Sequence, residues 1–362
     1  MGMLHFQRTI FAVASVLALA TVHEARAQSA PPNKAERAAL TAEVKAQLAA
    51  ANKKDRNLAI LQGILSQPDD SIDLAKAEVA IEKMIDPSVN EVDTLKQLDA
   101  LAASVRGRFP QGDATDNELK VVLLMSTLKD PGPWNGYRPF HYDLDDPMGK
   151  DLEQKLLSRY LVSHKGNCVS MPVLFVVLGQ KLGLPVTLST APTHDFAKFR
   201  RDSGAWMNME VTSYGTKTDQ SYEQELRITP RAVQTGIYLQ TLTRKQSVLV
   251  MVNTLMEFYR HHRSPEQRLA LTTVVLTTDP KFVAGWLWRG QAYYGMVDEK
   301  FKRFGSVANI PQQMRDGYMV LNQNAEMMFQ RASDLGWAPE TPEQDAEYLK
   351  YIQKAKASQQ GG

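Results

Sequence analysis

One cysteine, Cys168, stands in a chain of 362 residues, so no intramolecular disulfide can form. Small exported domains commonly draw stability from paired cysteines. This chain must draw it from packing, and a hydrophobic fraction of 43% is enough for real cores. Charge of one sign is also lacking, since the net charge is +2. That balance gives no electrostatic case for a polyanion, and nucleic acid is not an expected partner. The one basic, aromatic stretch, Phe196 to Arg201, fits a β-hairpin with solvated ends. Metal-ligand spacing is missing as well: there is no His-x-x-x-His and no pair of cysteines. Asp143, Asp145 and Asp146 lack the glycine and distal glutamate of a calcium loop and read as a solvated turn. No metal or other cofactor is expected.

Long apolar runs are absent beyond the N-terminus. There, Arg8 precedes a mostly apolar run from Ile10 to Val22, and Ala25-Arg26-Ala27 matches a small-residue cleavage site. The run is short for a transmembrane span, and no later stretch reaches about 18 uninterrupted apolar residues. The pattern predicts a signal peptide over residues 1–27, a mature start near Gln28, and a periplasmic or secreted protein with no stable span after cleavage. An uncleaved anchor is the alternative. No cysteine follows the apolar segment, which argues against a lipoprotein.

Residues 28–110 read as a helical N-terminal region. Asp69-Asp70-Ser71 supplies N-cap candidates for a helix with Leu74, Ala77, Ile81 and Met84 on one stripe, ended by Asp86-Pro87. Leu95, Leu98, Ala102 and Val105 mark the next helix, and Asp116 to Lys129 a third. Residues 111–228 form the expected core. It includes a long Pro- and aromatic-rich loop from Asp130 to Pro147, of the kind that walls a site. From residue 229 onward the chain reads as helical. Ala284 to Tyr294 there resembles the first helix of a tetratricopeptide repeat, with Ala325, Phe329 and Ala332 as partner-helix candidates.

The chemistry concentrates around Cys168. Gly166-Asn167-Cys168-Val169-Ser170-Met171-Pro172 precedes the apolar run Val173 to Leu178. Pro172 is tolerated only in the first turn of a helix, which puts Cys168 at or just before its start. A helix N-terminus carries a partial charge of roughly +0.5, and both it and a neighbouring imidazolium favour a thiolate. Strands are expected over Val186–Thr190, His194–Arg200 and Ala205–Thr212. His194 is the best partner for the thiol, His141 is second, and His164, His261 and His262 are poorer. A catalytic imidazole needs a third group to hold it. Asn208 and Glu210, two apart, share one strand face with Trp206 and Thr212. Asp195 points to the opposite face.

Gly-x-Cys at a helix start, His on a strand, and Trp206-x-x-x-Glu210-x-Thr212 on the next strand resemble the transglutaminase-like superfamily. Residues 70–215 are similar to its SirB-type branch. The shared features are the helical lead-in Ile72-Asp73-Leu74-Ala75, Leu98-Asp99-Ala100-Leu101-Ala102, the Tyr142-to-Pro147 turn, Leu182-Gly183-Leu184-Pro185-Val186 and His194-x-Phe196. The resemblance implies an α+β fold: a papain-like transglutaminase core, with a cysteine-bearing helix and a small antiparallel sheet, flanked by helical regions. Two departures stand out. Most members have Asp followed by Pro where this chain has Glu210-Val211, so the orienting role stays open between Glu210 and Asn208. Many SirB-type members lack the cysteine, which this chain has. The expected activity is thiol chemistry on an amide bond of a peptide or protein, with hydrolysis and acyl transfer to an amine both open. The alternative is an inactive domain that binds a peptide or partner, with the C-terminal helices as a second surface.

Overall fold

The computed structural model describes residues 55–110 and 116–341, and beyond them only positions 343, 346 and 350. The expected signal peptide and the Ala-rich stretch that follows it lie outside the described residues. Two compact units emerge. Among the described residues, one falls within 59–258; the other comprises residues 55–58 and those from Tyr259 onward. No helix among the described residues is long and apolar enough to cross a membrane.

In the 59–258 unit the helices are α1 (Arg56–Leu65, from residue 59), α2 (Leu74–Ile85), α3 (Glu91–Arg106) and α4 (Asn117–Lys129). After them come α5 (Leu157–Ser163), α6 (Ser170–Lys181), α7 (Asp219–Glu225), α8 (Pro230–Thr235) and α9 (Arg244–His262, to residue 258). Side-chain caps start several of them. Asp73 accepts from Lys76 N, Asn90 from Asp93 N and Asp116 from Leu119 N. The expected cap at Asp69-Asp70-Ser71 is corrected here. Those residues form a 3₁₀ turn, and Asp69 instead accepts from Arg244 N at 3.1 Å and Lys245 N at 2.9 Å, at the start of α9. The α2 stripe Leu74, Ala77, Ile81 and Met84 is buried, as are Leu98, Ala102 and Val105 of α3.

Four strands, β3 (Val186–Ala191), β4 (His194–Arg200), β5 (Trp206–Glu210) and β6 (Gly215–Lys217), form an antiparallel sheet in that order. Two residue pairs, β1 (His141–Tyr142) and β2 (Lys165–Gly166), make a separate parallel ladder. Neither β6 nor this short ladder was legible in the hydrophobic pattern, because each is too short to show alternation. The β3 edge does not face solvent bare. Leu239 N donates to Thr190 O at 2.9 Å and Leu242 N to Leu188 O at 3.2 Å.

Helix α6 is buried nearly all round, from Ser170 to Gly179, as a central core helix must be. Its C-terminal end passes through Gly183 at φ +71°, the left-handed exit that glycine permits. The helix packs on β3 at a close approach. A Cβ added to Gly179 would meet Val186 Cγ2 at 2.1 Å. Gly179→Ala is therefore expected to destabilise the unit by about 1–3 kcal/mol, the usual cost of overpacking a core. Thermal unfolding checks this, and an unchanged midpoint would mean that α6 and β3 are free to separate.

The second unit contains α10 (Pro265–Thr278), α11 (Val283–Phe301) and α12 (Gln312–Asp334). Leu269, Ala292, Met296, Tyr318 and Ala325 form its core. Gly290 lies directly against the Phe329 ring, where a Cβ would sit 2.8 Å from Cε2. Tyr293 is buried and Trp286 half-buried.

Candidate active site

Cys168 lies two residues before the first helical residue of α6, and Pro172 is the third residue of that helix. Its placement rests on Asn167. This side chain is buried, and its Oδ1 accepts from Val169 N at 3.0 Å and Ser170 N at 3.2 Å. Asn167 N in turn donates to Ser170 Oγ at 3.2 Å. These bonds satisfy orphan donors at the helix start and fix the turn that carries the thiol. Sequence reasoning did not single out Asn167; its signal was a capping residue ahead of an apolar run. Gly166 is demanded by packing, since a Cβ there would lie 2.6 Å from Tyr160 Cε2 and 2.8 Å from Met171 Cγ.

His194 opens β4 directly after the turn at Pro192-Thr193, and Thr193 carries φ +52°. Cys168 Sγ lies 3.9 Å from the carbonyl oxygen of Thr193, the residue before His194, and the Cys168 side chain contributes to raising the pKa of the His194 ring. His194 Nε2 meets Glu210 Oε2 at 2.8 Å, so Nδ1 is the ring nitrogen not engaged by the carboxylate. Thr212 Oγ1 donates to Glu210 Oε1 at 2.5 Å, and Tyr222 Oη donates to Glu210 Oε2 at 2.7 Å. The His194 side chain is 19% exposed and that of Glu210 11%, so the pair is largely shielded from water. Burial opposes charge on the imidazole. Cys168 and Glu210, as acceptors and as negative charges beside the ring, outweigh it and raise His194 to about 10. Burial likewise opposes charge on Glu210, but His194, Thr212 and Tyr222 hold it ionised, with its pKa lowered to about 2.

The structure separates the two orienting candidates. Asn208 shares the strand face with Glu210, but its Nδ2 donates to Asp219 Oδ1 at 2.7 Å. Lys198 Nζ bonds the same oxygen at 3.1 Å. Register explains this: Lys198 pairs directly with Asn208, and the ladder continues so that Glu210 lies nearer the His194 end of β4. Glu210, not Asn208, reaches the imidazole. Asp195 sits opposite Thr190 on the other side of the strand, and burial raises its carboxyl to about 7. His164 and His141 bond elsewhere in this unit. His164 Nδ1 bonds Arg138 O at 2.6 Å and its ring stacks on Phe140, while His141 Nδ1 lies 3.3 Å from Pro139 O. Trp206 is 43% exposed, outside this cluster. Sequence reasoning missed Tyr222, which arrives on α7 from outside the motif and carries no signal beyond a helical pattern. Among the described residues no group of three or more His, Cys, Asp or Glu side chains is arranged to hold a metal ion.

A helix-rich α+β fold with small sheets thus brings a cysteine, a histidine and a carboxylate together. Residues 93–253 match the family model of the transglutaminase-like superfamily, a span that includes Cys168, His194 and Glu210. That stretch of the chain is thus similar to a transglutaminase-like domain. No curated protein and no solved structure matches the chain.

Proposed function

We propose that the protein is an exported thiol enzyme acting on amide bonds of a peptide or protein, through Cys168, His194 and Glu210 on a papain-like core of the SirB-type branch. The observation that carries this reading is the hydrogen bond between His194 Nε2 and Glu210 Oε2 at 2.8 Å, with Cys168 Sγ 3.9 Å from the carbonyl oxygen of the adjacent Thr193. The Cys168 thiolate attacks the carbonyl carbon. The Cys168 backbone N–H is the expected first donor to the developing oxyanion. As the tetrahedral adduct collapses, the C–N bond breaks and His194 Nδ1 gives its proton to the leaving amine. Water, or an acceptor amine, then attacks the thioester, returning its proton to His194 and releasing Cys168. Glu210 holds the ring orientation and balances its charge throughout. Hydrolysis asks less of the site than amine transfer, because it needs no acceptor subsite, and is the favoured outcome. The α11–α12 pair, with its tetratricopeptide-like sequence and its Gly290–Phe329 contact, is the proposed element for a protein partner.

Iodoacetamide labelling of Cys168, mapped by mass across pH in wild type and His194→Ala, tests the reading. Rapid, His194-dependent alkylation at neutral pH is the expected result. Alkylation no faster than that of a free cysteine, and indifferent to His194, would leave a binding module in place of an enzyme.

A further inference from the structure

We infer that Tyr222 is a positioning residue that clamps the Glu210 carboxylate against His194, and that Asn208 and Lys198 seat this clamp through Asp219. The inference rests on the thiol-enzyme reading and deepens it. Glutamate has one more rotatable bond than aspartate, so a Glu210 bonded to His194 alone has a wider choice of rotamers. The structure removes that freedom from two sides. Thr212 Oγ1 binds Oε1 at 2.5 Å. Tyr222 Oη binds Oε2 at 2.7 Å, the same oxygen that meets His194 Nε2 at 2.8 Å. Two donors converging on one oxygen fix the direction of the carboxylate, not merely its neighbourhood.

Tyr222 is itself fixed. It is buried, and its ring stacks on Phe196 of β4 with centroids 4.4 Å apart. The first residue of its helix, Asp219, is tied to the sheet by Asn208 Nδ2 at 2.7 Å and Lys198 Nζ at 3.1 Å. The Lys198 side chain is only 6% exposed, so the tie is anchored inside the sheet, while the Asp219 side chain is 52% exposed. Asn208 therefore acts on the imidazole at a distance, through Asp219, α7, Tyr222 and Glu210.

The test uses the full chain and two readouts that need no substrate. One is the rate of Cys168 alkylation by iodoacetamide at pH 7; the other is the titration of His194 followed by NMR. Tyr222→Phe keeps the ring on Phe196 and removes only the hydroxyl. It is expected to slow alkylation about tenfold, in the range found for residues that orient a functional ligand from behind. It is also expected to move the His194 midpoint to lower pH, because a carboxylate free to turn away protects the imidazolium less. Asn208→Ala is expected to shift both readouts the same way by a smaller factor, and it keeps the inference testable should Tyr222→Phe fold poorly. A rise in the His194 midpoint, as expected if the hydroxyl only damped the carboxylate's charge, would overturn the positioning role. So would unchanged values of both readouts in a wild type whose alkylation depends on His194. Wild-type alkylation that ignores His194 is a different result: it defeats the thiol-enzyme reading, and this inference with it.

Discussion

Cys168→Ser is expected to abolish covalent chemistry while leaving the fold intact. An alcohol replaces a thiol with one atom exchanged, at a residue that is only partly buried and outside the hydrophobic core. The Asn167 and Ser170 bonds that shape the helix start do not use its side chain. Circular dichroism and thermal unfolding should therefore match wild type. The reaction should not survive, because the hydroxyl is a far poorer nucleophile without a site built to deprotonate it. Loss of acyl-enzyme, seen by mass spectrometry with an activated ester, is expected to be on the order of 10⁴-fold or more, as for removal of other paired nucleophiles. Persistence of acylation at another residue would move the reactive centre away from Cys168.

The second large effect is expected at the imidazole and its carboxylate. His194→Ala should lower acyl transfer by about 10²–10⁴-fold, the range for a positioned general acid and base. Glu210→Gln keeps the shape of the side chain and removes its charge. It also offers an amide N–H to Nε2, Tyr222 Oη or Thr212 Oγ1, each of which is a donor in the native arrangement. Its activity should fall by a similar order, as when a triad carboxylate becomes an amide. Stability should follow pH in a defined way. Glu210 has a folded value near 2, below the ordinary 4.5, so its contribution is complete above about pH 4.5 and is lost as pH falls through about 2. His194 has a folded value near 10, above the ordinary 6.5, so its contribution is complete below about pH 6.5 and is lost as pH rises through about 10. Wild type and Glu210→Gln should thus differ most between about pH 4.5 and 6.5 and converge toward pH 2. A gap in unfolding free energy that does not close in acid would show that Glu210 is held by packing and not by charge.

The sequence carried much of this arrangement. Pro172 can stand only in the first turn of a helix, so it places Cys168 at the helix start. The turn residues between Val186 and Thr212 delimited three strands, and strand alternation put Glu210 and Asn208 on one face with Asp195 on the other. Local rules of this kind depend on a few neighbouring residues, and the sequence contains those in full.

Tertiary structure decided what local rules leave equal. Asn208 and Glu210 are interchangeable by alternation. The pairing of Lys198 with Asn208 sends one to Asp219 and leaves the other for His194. Tyr222, on a seven-residue helix with no motif of its own, enters the site only because α7 folds back over Phe196. Asp69 looked like the cap of the helix that follows it, yet it caps α9, far along the chain. In each case the deciding partner is distant in sequence. Spacing reports which face a side chain takes; only the packed chain determines which donor or acceptor waits there, because a buried polar group must find a partner wherever the fold supplies one.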